Sequence, residues 1–358
     1  MRILSRYFLS SYLKLFVAIL FSSMIAVMVI EMMLNFDEIL EHHDGSTGIA
    51  TYLFLRIPSY YLRDLIPVSS FAAVFFCLGL PARAHEITAI KSGGISPQRT
   101  VIPLLAAASI LSGIALLLNE SVVLQASRAW ERQKNPGGEI TFRQSSFWYH
   151  RGNAIYNVQE ADKESRTLYG VSVFELNPQG RLIRSIRAEQ VEVGDDSRWL
   201  IRDGTERIFA PSRPADPPTI SHLREWHRDV AAEKDLAMLE SSAQTLSLPN
   251  LRGYIEAQIR EGRDTTRFQA LYHSRLAEPL SVLLFALLAI PLALAVEQSH
   301  SLAASALYGI VILGIFYTAR TMADMFAASG FATTIISPWI ILTAFGGYGV
   351  WQLYRIPR

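Results

Sequence analysis

The sequence predicts a membrane α-helical protein of six transmembrane helices, three before and three after an inserted all-β domain. Three observations predict it. First, six runs carry no charge: Leu15–Ile30, Leu65–Leu80, Val101–Leu118, Leu280–Val296, Leu302–Ala319 and Phe331–Leu353. Each approaches the roughly 20 apolar residues a helix needs to cross a bilayer. Second, the composition between the third and fourth runs becomes that of a soluble protein, with short alternating segments separated by turn residues. Third, the basic residues near span ends, Arg2, Arg6, Arg83, Lys91, Arg99, Arg355 and Arg358, all fall on one side of a six-span arrangement. The short loops opposite, 35–48 and 325–332, hold no lysine or arginine. By the positive-inside rule both termini are then cytoplasmic, and the central segment lies outside. The loop 297–300 sits on the basic side without a basic residue, a small exception.

The chain has 358 residues, a net charge of +1 and one cysteine, so it offers no basic tract for nucleic acid. The lone Cys77 excludes an internal disulfide framework and a cysteine-based zinc site, and its apolar surroundings read as a buried small hydrophobe. The division is 1–119 for the first membrane half, 120–267 for the linker and β-domain, and 268–358 for the second half. The first span is too long, and lacks a convincing cleavage site, for a removed signal peptide. An acidic loop follows it. His42-His43 in that loop lacks a third ligand and reads as solvated. Span two begins with Tyr52–Leu65, whose Arg56, Pro58, Arg63 and Asp64 predict a kinked outer end at headgroup depth.

After span three, a linking helix is expected over Ser121–Lys134, ending at Asn135-Pro136-Gly137-Gly138. The stretches 146–158, 168–176, 181–193 and 198–209 are rich in aromatic and β-branched residues. Asn-Pro-Gln-Gly, Gly-Asp-Asp and Asp-Gly read as turns, giving one antiparallel sandwich or jelly-roll. Leu248–Glu261 reads as an amphipathic helix leading to span four.

The segment Pro81–Thr100, PARAHEITAIKSGGISPQRT, is the polar loop between spans two and three. Pro81 is expected to close the preceding helix. Ala84–Ser92 can form two helical turns with Ile87 and Ile90 on one face, and Gly93-Gly94 supplies a left-handed stop. Glu86 is the segment's single acid. A short helix lying at the membrane surface with a carboxylate facing away is a docking element.

Ionisable residues inside spans are costly and mark functional candidates. Here they are Glu31, Arg56, Arg63, Asp64, Arg275, Glu278, Arg320 and Asp324, and the topology puts all of them at outer span ends. Four arginines at that depth suit a phosphate-bearing ligand, since the guanidinium fork matches phosphate oxygens. Pairing with neighbouring acids, or snorkelling to headgroups, explains them equally. The sequence lacks a G-x-x-x-x-G-K-[ST] phosphate loop, H-E-x-x-H and G-x-S-x-G, so nothing in it argues for catalysis.

These features resemble the lipopolysaccharide-export permeases, the LptF/LptG family of ABC transporter membrane subunits. The resemblance is carried by the three-span, β-domain, three-span layout and by FDEIL after span one. It is carried further by HEITAIKSGGIS, by YGVSVFELNPQGRL and by SLPNLRGYIEAQIREGRDTTRFQALYHSRLAEPLSV, the last two being closer to the LptG member. It implies an inner-membrane subunit that hydrolyses nothing and binds no cofactor, with ATP and Mg in a partner. That partner would be an LptB-like cytosolic ATPase dimer. The others would be an LptF-like permease, a single-span LptC-like subunit and a soluble LptA-like bridge, with lipopolysaccharide as substrate and the β-jelly-roll in the periplasm. Glu86 matches the coupling glutamate, on a coupling helix of about 84–94 that includes Ile87, Ile90 and Gly93. Where LptG members can carry a lysine at the outer end of span one, this sequence has Glu31. Positive charge would then come from Arg56, Arg63 and Arg275, with Arg320 a weaker candidate. Met24, Met28 and Phe316 would face acyl chains, or ordinary lipid. The different-class alternatives are a membrane-anchored scaffold that transports nothing, which would need no ATPase, and a secondary transporter, for which no inverted repeat is evident.

Overall fold

The structure is a computed structural model that describes all residues except 1, 37–44, 96, 135–139, 144–145, 152, 163–166, 194–197, 210–216, 230–244, 261–264, 300, 330–336 and 356–358. His42 and His43 lie outside the described residues. The chain divides into two compact units, Met1–Ser127 with Asp264–Arg358, and Arg128–Arg263.

The first unit is helical. α1 (Arg2–Leu34) presents Phe8, Tyr12 and Phe16 at four-residue spacing to the core, while Val17, Phe21, Ile25 and Val29 remain exposed. α2 (Gly45–Tyr60) and α3 (Leu62–Arg83) are separated at Tyr61, the kink the sequence predicts. Pro81 does not close α3. The helix runs on to Arg83, because a proline in the last turn forfeits one backbone bond without blocking the residues after it. α4 (Glu86–Ser92) is the surface helix, and α5 (Pro97–Leu118) passes through a π-helical turn, Asn119–Val123, into α6 (Leu124–Lys134). In the second half, α8 (Thr266–Ala277) joins α9 (Ser281–Ser299) through a single 3₁₀ turn, and α10 (Leu302–Ala328) and α11 (Ser337–Tyr354) follow. α7 (Leu248–Arg260), in the second unit, is the predicted amphipathic helix over its described residues.

Among the described residues, five segments are long and apolar enough to cross a membrane: Ile3–Leu34, Leu62–Arg83, Val101–Trp130, Thr266–Glu297 and Leu302–Ala327. The sixth expected run falls partly outside the described residues, and its described part is α11. α9 is the centre of the unit, packed on α3, α5, α10 and α11. Its Val282, Phe285, Ala286, Ala289, Ile290 and Ala293 are fully enclosed. Short polar bonds tie the helices together in this apolar interior. Tyr12 Oη and Ser70 Oγ are 2.8 Å apart, and Ser112 Oγ donates to the Pro279 carbonyl at 2.8 Å. Cys77 is buried, its Sγ against the Phe8 carbonyl at 3.4 Å.

The second unit is an antiparallel sheet. Its strands are β1 (Ile140–Arg143), β2 (Ser146–Arg151), β3 (Ala154–Val158), β4 (Glu160–Asp162), β5 (Thr167–Leu176), β6 (Leu182–Val193), β7 (Arg198–Ile208) and β8 (Thr219–Asp229). Each pairs with its sequence neighbour, except that β3 and β4 both pair with β5. The described strands therefore form a meander, with no crossover between non-adjacent strands. Gln159 separates β3 from β4, and its side chain lies where a Cβ on Gly170 would be, 1.8 Å from Oε1. Gly170 also has φ +59°, a conformation that favours glycine, while a Cβ there would force the Gln159 side chain to move. Asn177-Pro178-Gln179-Gly180 is the predicted turn, with Asn177 Oδ1 accepting from the Gln179 and Arg181 amides at 3.1 and 2.8 Å. Asp203-Gly204 is not a turn. Both residues lie inside β7, where Gly204 sits opposite Leu223.

One face of the sheet is apolar. Val173 opposite Ile186, Val171 opposite Ala188, and Val191 opposite Ile201 are all buried. α7 covers part of this face, with the Tyr254 ring 5.6 Å from Phe147. Tyr254 Oη and Gln258 Nε2 both donate to the Gln159 carbonyl, at 3.0 and 3.1 Å.

Candidate functional site

The candidate residues gather at two ends of the helical unit. At one end, α3 stops at Arg83 and His85 turns the chain with φ 61°, the one non-glycine positive φ among the described residues. α4 therefore starts at Glu86 rather than Ala84. Its helical spacing divides the side chains. Ile87 is 4% exposed and inserted into the core, and Ile90 is half-buried beside it. Glu86 is exposed, and among the described residues its carboxylate has no ion-pair partner. The C-terminus closes at the Gly93-Gly94 pair, as expected. Gly93 has φ −74° while Gly94 takes the left-handed conformation at φ 77°, its amide donating to the Lys91 carbonyl at 2.9 Å. Thr88 Oγ1 donates to Glu297 Oε1 at 2.6 Å, and Lys91 Nζ pairs with Glu297 Oε2.

The opposite end holds the ionisable residues. Glu31, 2% exposed, pairs with Arg56 and accepts from Asn35 Nδ2 at 3.0 Å and Tyr61 Oη at 2.7 Å. The Arg56 guanidinium also lies over the Tyr60 ring, 4.7 Å from its centroid. Arg63 and Arg320 meet on one buried carboxylate, Glu278, at 3.2 and 3.4 Å. Arg320 also faces Asp324 at 3.8 Å, and Ser274 Oγ donates to Asp324 at 3.3 Å. Arg275 pairs with Glu120 at 3.1 Å.

These contacts bring Arg63 and Arg320 together and keep Arg56 and Arg275 on separate partners. All the arginines singled out by the sequence are ion-paired within the chain, so this end is a charge-balanced belt rather than an open cationic patch. Met24 and Met28 are half-buried on α1. Phe316 is 1% exposed, its ring edge-on to Phe285 and Phe345 at 4.9 and 5.3 Å, so here it packs inside the unit instead of facing outward. Two carboxylates escaped the sequence reading as partners, Glu120 and Glu297. The only signal for Glu297 was the loop without a basic residue on an otherwise basic side.

Apolar helices in two halves, an antiparallel β-region between them and a surface helix with an outward carboxylate define a multi-pass membrane protein with one insertion. Comparison with known sequences gives the family. The profile described as "Lipopolysaccharide export system permease LptF/LptG" matches residues 6–355, and the chain belongs to that family. Its members are permease components of ABC transporters rather than hydrolases. Similar curated proteins are both named lipopolysaccharide export system permease protein LptG. The one from Escherichia coli K12 is 22% identical over 276 residues, 75% of each chain. That of Haemophilus influenzae is 22% identical over 261 residues, 72% of each.

Proposed function

We propose that this chain is the LptG-like membrane subunit of a transporter that extracts lipopolysaccharide from the outer leaflet of the inner membrane and passes it to a periplasmic bridge. An LptF-like permease completes the cavity, and an LptB-like ATPase dimer, which binds ATP and Mg, docks below. LptC-like and LptA-like proteins form the bridge. In this reading there are six spans with cytoplasmic termini, and the antiparallel β-region lies in the periplasm. The observation that carries it is α4, a helix anchored by Ile87 with Glu86 turned outward and uncompensated. A carboxylate in that setting is available to a basic groove on another protein. ATP binding draws the ATPase subunits together, α4 moves with them, and the cavity narrows, because the two ATPase states contact α4 differently.

Lipid phosphates are assigned to the belt at the opposite end, and side-chain exposure ranks its arginines. Arg63 (34%) is the most open to exchanging a carboxylate for a phosphate, and Arg56 (19%), held by the Glu31 carboxylate, follows it. Arg275 (6%) and Arg320 (18%) are committed to Glu120 and to Glu278 with Asp324. Glu31 in place of a lysine makes Arg56 the cation at the end of α1 and α2. Glu86→Ala tests the coupling role. The variant inserts normally, while lipopolysaccharide release no longer follows ATP hydrolysis. Unchanged transport with normal ATPase binding would remove Glu86 from the mechanism.

A further inference from the structure

We infer that Glu297, at the C-terminal end of α9, is a positioning residue that fixes the rotation of α4 and transmits its movement to the core of the helical unit. The inference rests on the transporter reading above.

A helix of seven residues cannot hold itself in place, since isolated helices shorter than about 12 residues are marginal in water. Its position must come from tertiary contacts, and there are two kinds. Ile87 and Ile90 seat it on the core, but an apolar contact on one side leaves the helix free to roll. The second contact removes that freedom. Thr88 and Lys91 are three residues apart, one turn, and both reach the same carboxylate. At about 100° per residue, their shared face lies roughly 170° around the helix from Glu86. Holding Thr88 and Lys91 against α9 therefore turns Glu86 away from α9, on the exposed side of the helix about 70° from the seated Ile87–Ile90 face.

The location of Glu297 supports a functional rather than a stabilising role. A carboxylate in the last turn of a helix opposes the macrodipole, and the last turn of α9 holds no basic residue to offset it. Lys91 is 31% exposed, and a pair that open to water adds little stability. What the pair does provide is a link across 206 residues of sequence, from the surface helix to the element most enclosed by its neighbours. α9 touches α3, α5, α10 and α11, so displacement of its end is felt by each. This link also accounts for the loop without a basic residue on the basic side. That corner of the surface carries the counter-ion of Lys91.

The test uses the complete complex in proteoliposomes, the chain with its partner permease and ATPase. It measures ATPase retention, hydrolysis rate and lipopolysaccharide released to a soluble acceptor per ATP. Glu297→Lys places like charges together. It keeps the ATPase bound and hydrolysing but releases about five-fold less lipopolysaccharide per ATP, the factor one partly enclosed ion pair commands. Glu297→Gln, which retains an acceptor for Thr88, loses less. The charge swap Lys91→Glu with Glu297→Lys recovers most of the ratio. A Glu297→Lys complex with the wild-type ratio, or a swap no better than the single variant, overturns the inference. Loss of the bound ATPase in Glu297→Lys also overturns it, because Glu297 would then only keep α4 folded. If the unaltered complex releases no lipopolysaccharide with ATP, the transporter reading itself fails, and that outcome is read before any variant.

Discussion

At the residue scale, the arginines raise the question of what a buried charge is for. Glu278 is 5% exposed and takes two guanidinium partners, so removing it strands cations in an apolar setting. Glu278→Ala is expected to lower stability by about 2–3 kcal/mol, less than a fully enclosed pair would cost because Arg63 reaches water. The surface pair Arg252–Glu256, 70% and 58% exposed, is the comparison, and Arg252→Ala should cost under about 0.5 kcal/mol. Thermal unfolding of the detergent-solubilised chain reads both. Equal losses would mean that the belt is no more than surface decoration. The sequence showed that these charges exist and share an end, because composition and span limits are one-dimensional. It did not show their partners. Arg275 and Glu120 are 155 residues apart, and nothing in either neighbourhood names the other.

At the element scale, two helices pack so closely that glycine is required. A Cβ on Gly309 of α10 would lie 2.6 Å from the Phe71 ring of α3, whereas one on Gly314 of the same helix meets nothing within 4 Å. Gly309→Ala should destabilise by about 1–3 kcal/mol through overpacking. Gly314→Ala should cost nothing, since alanine is the better helix former by about 1 kcal/mol. A shared response in melting temperature would show that the α3–α10 contact is looser than drawn. The long helices, the Tyr61 kink and the Asn177 turn were legible because each rests on a local rule. Three features were not. Pro81 was read as a stop, although a proline in the last turn costs little. Asp203-Gly204 looked like a turn, yet the pairing of Gly204 with Leu223 of β8, inside a strand that continues on both sides, holds it extended. β8 itself went unread because its apolar Ile220, Leu223 and Trp226 recur every third residue rather than every second. Only its pairing with β7 makes it a strand.

For the whole molecule, the helical unit has one end that carries the surface helix α4 and one charged end, joined by α3 and α9. Glu297 and the surface helix α4 stand at one, Arg63 and Glu278 at the other. In the proposed transporter, force applied at α4 would reach the charged belt along these two packed helices. The central claim is that this chain moves lipopolysaccharide with energy supplied by another subunit. The direct measurement is ATP-dependent transfer of lipopolysaccharide from proteoliposomes to a soluble bridge protein, with and without this chain beside the partner permease and ATPase. Transfer that requires both ATP and this chain is the predicted result. Transfer that proceeds equally in its absence, or with it present but without ATP, would contradict the account.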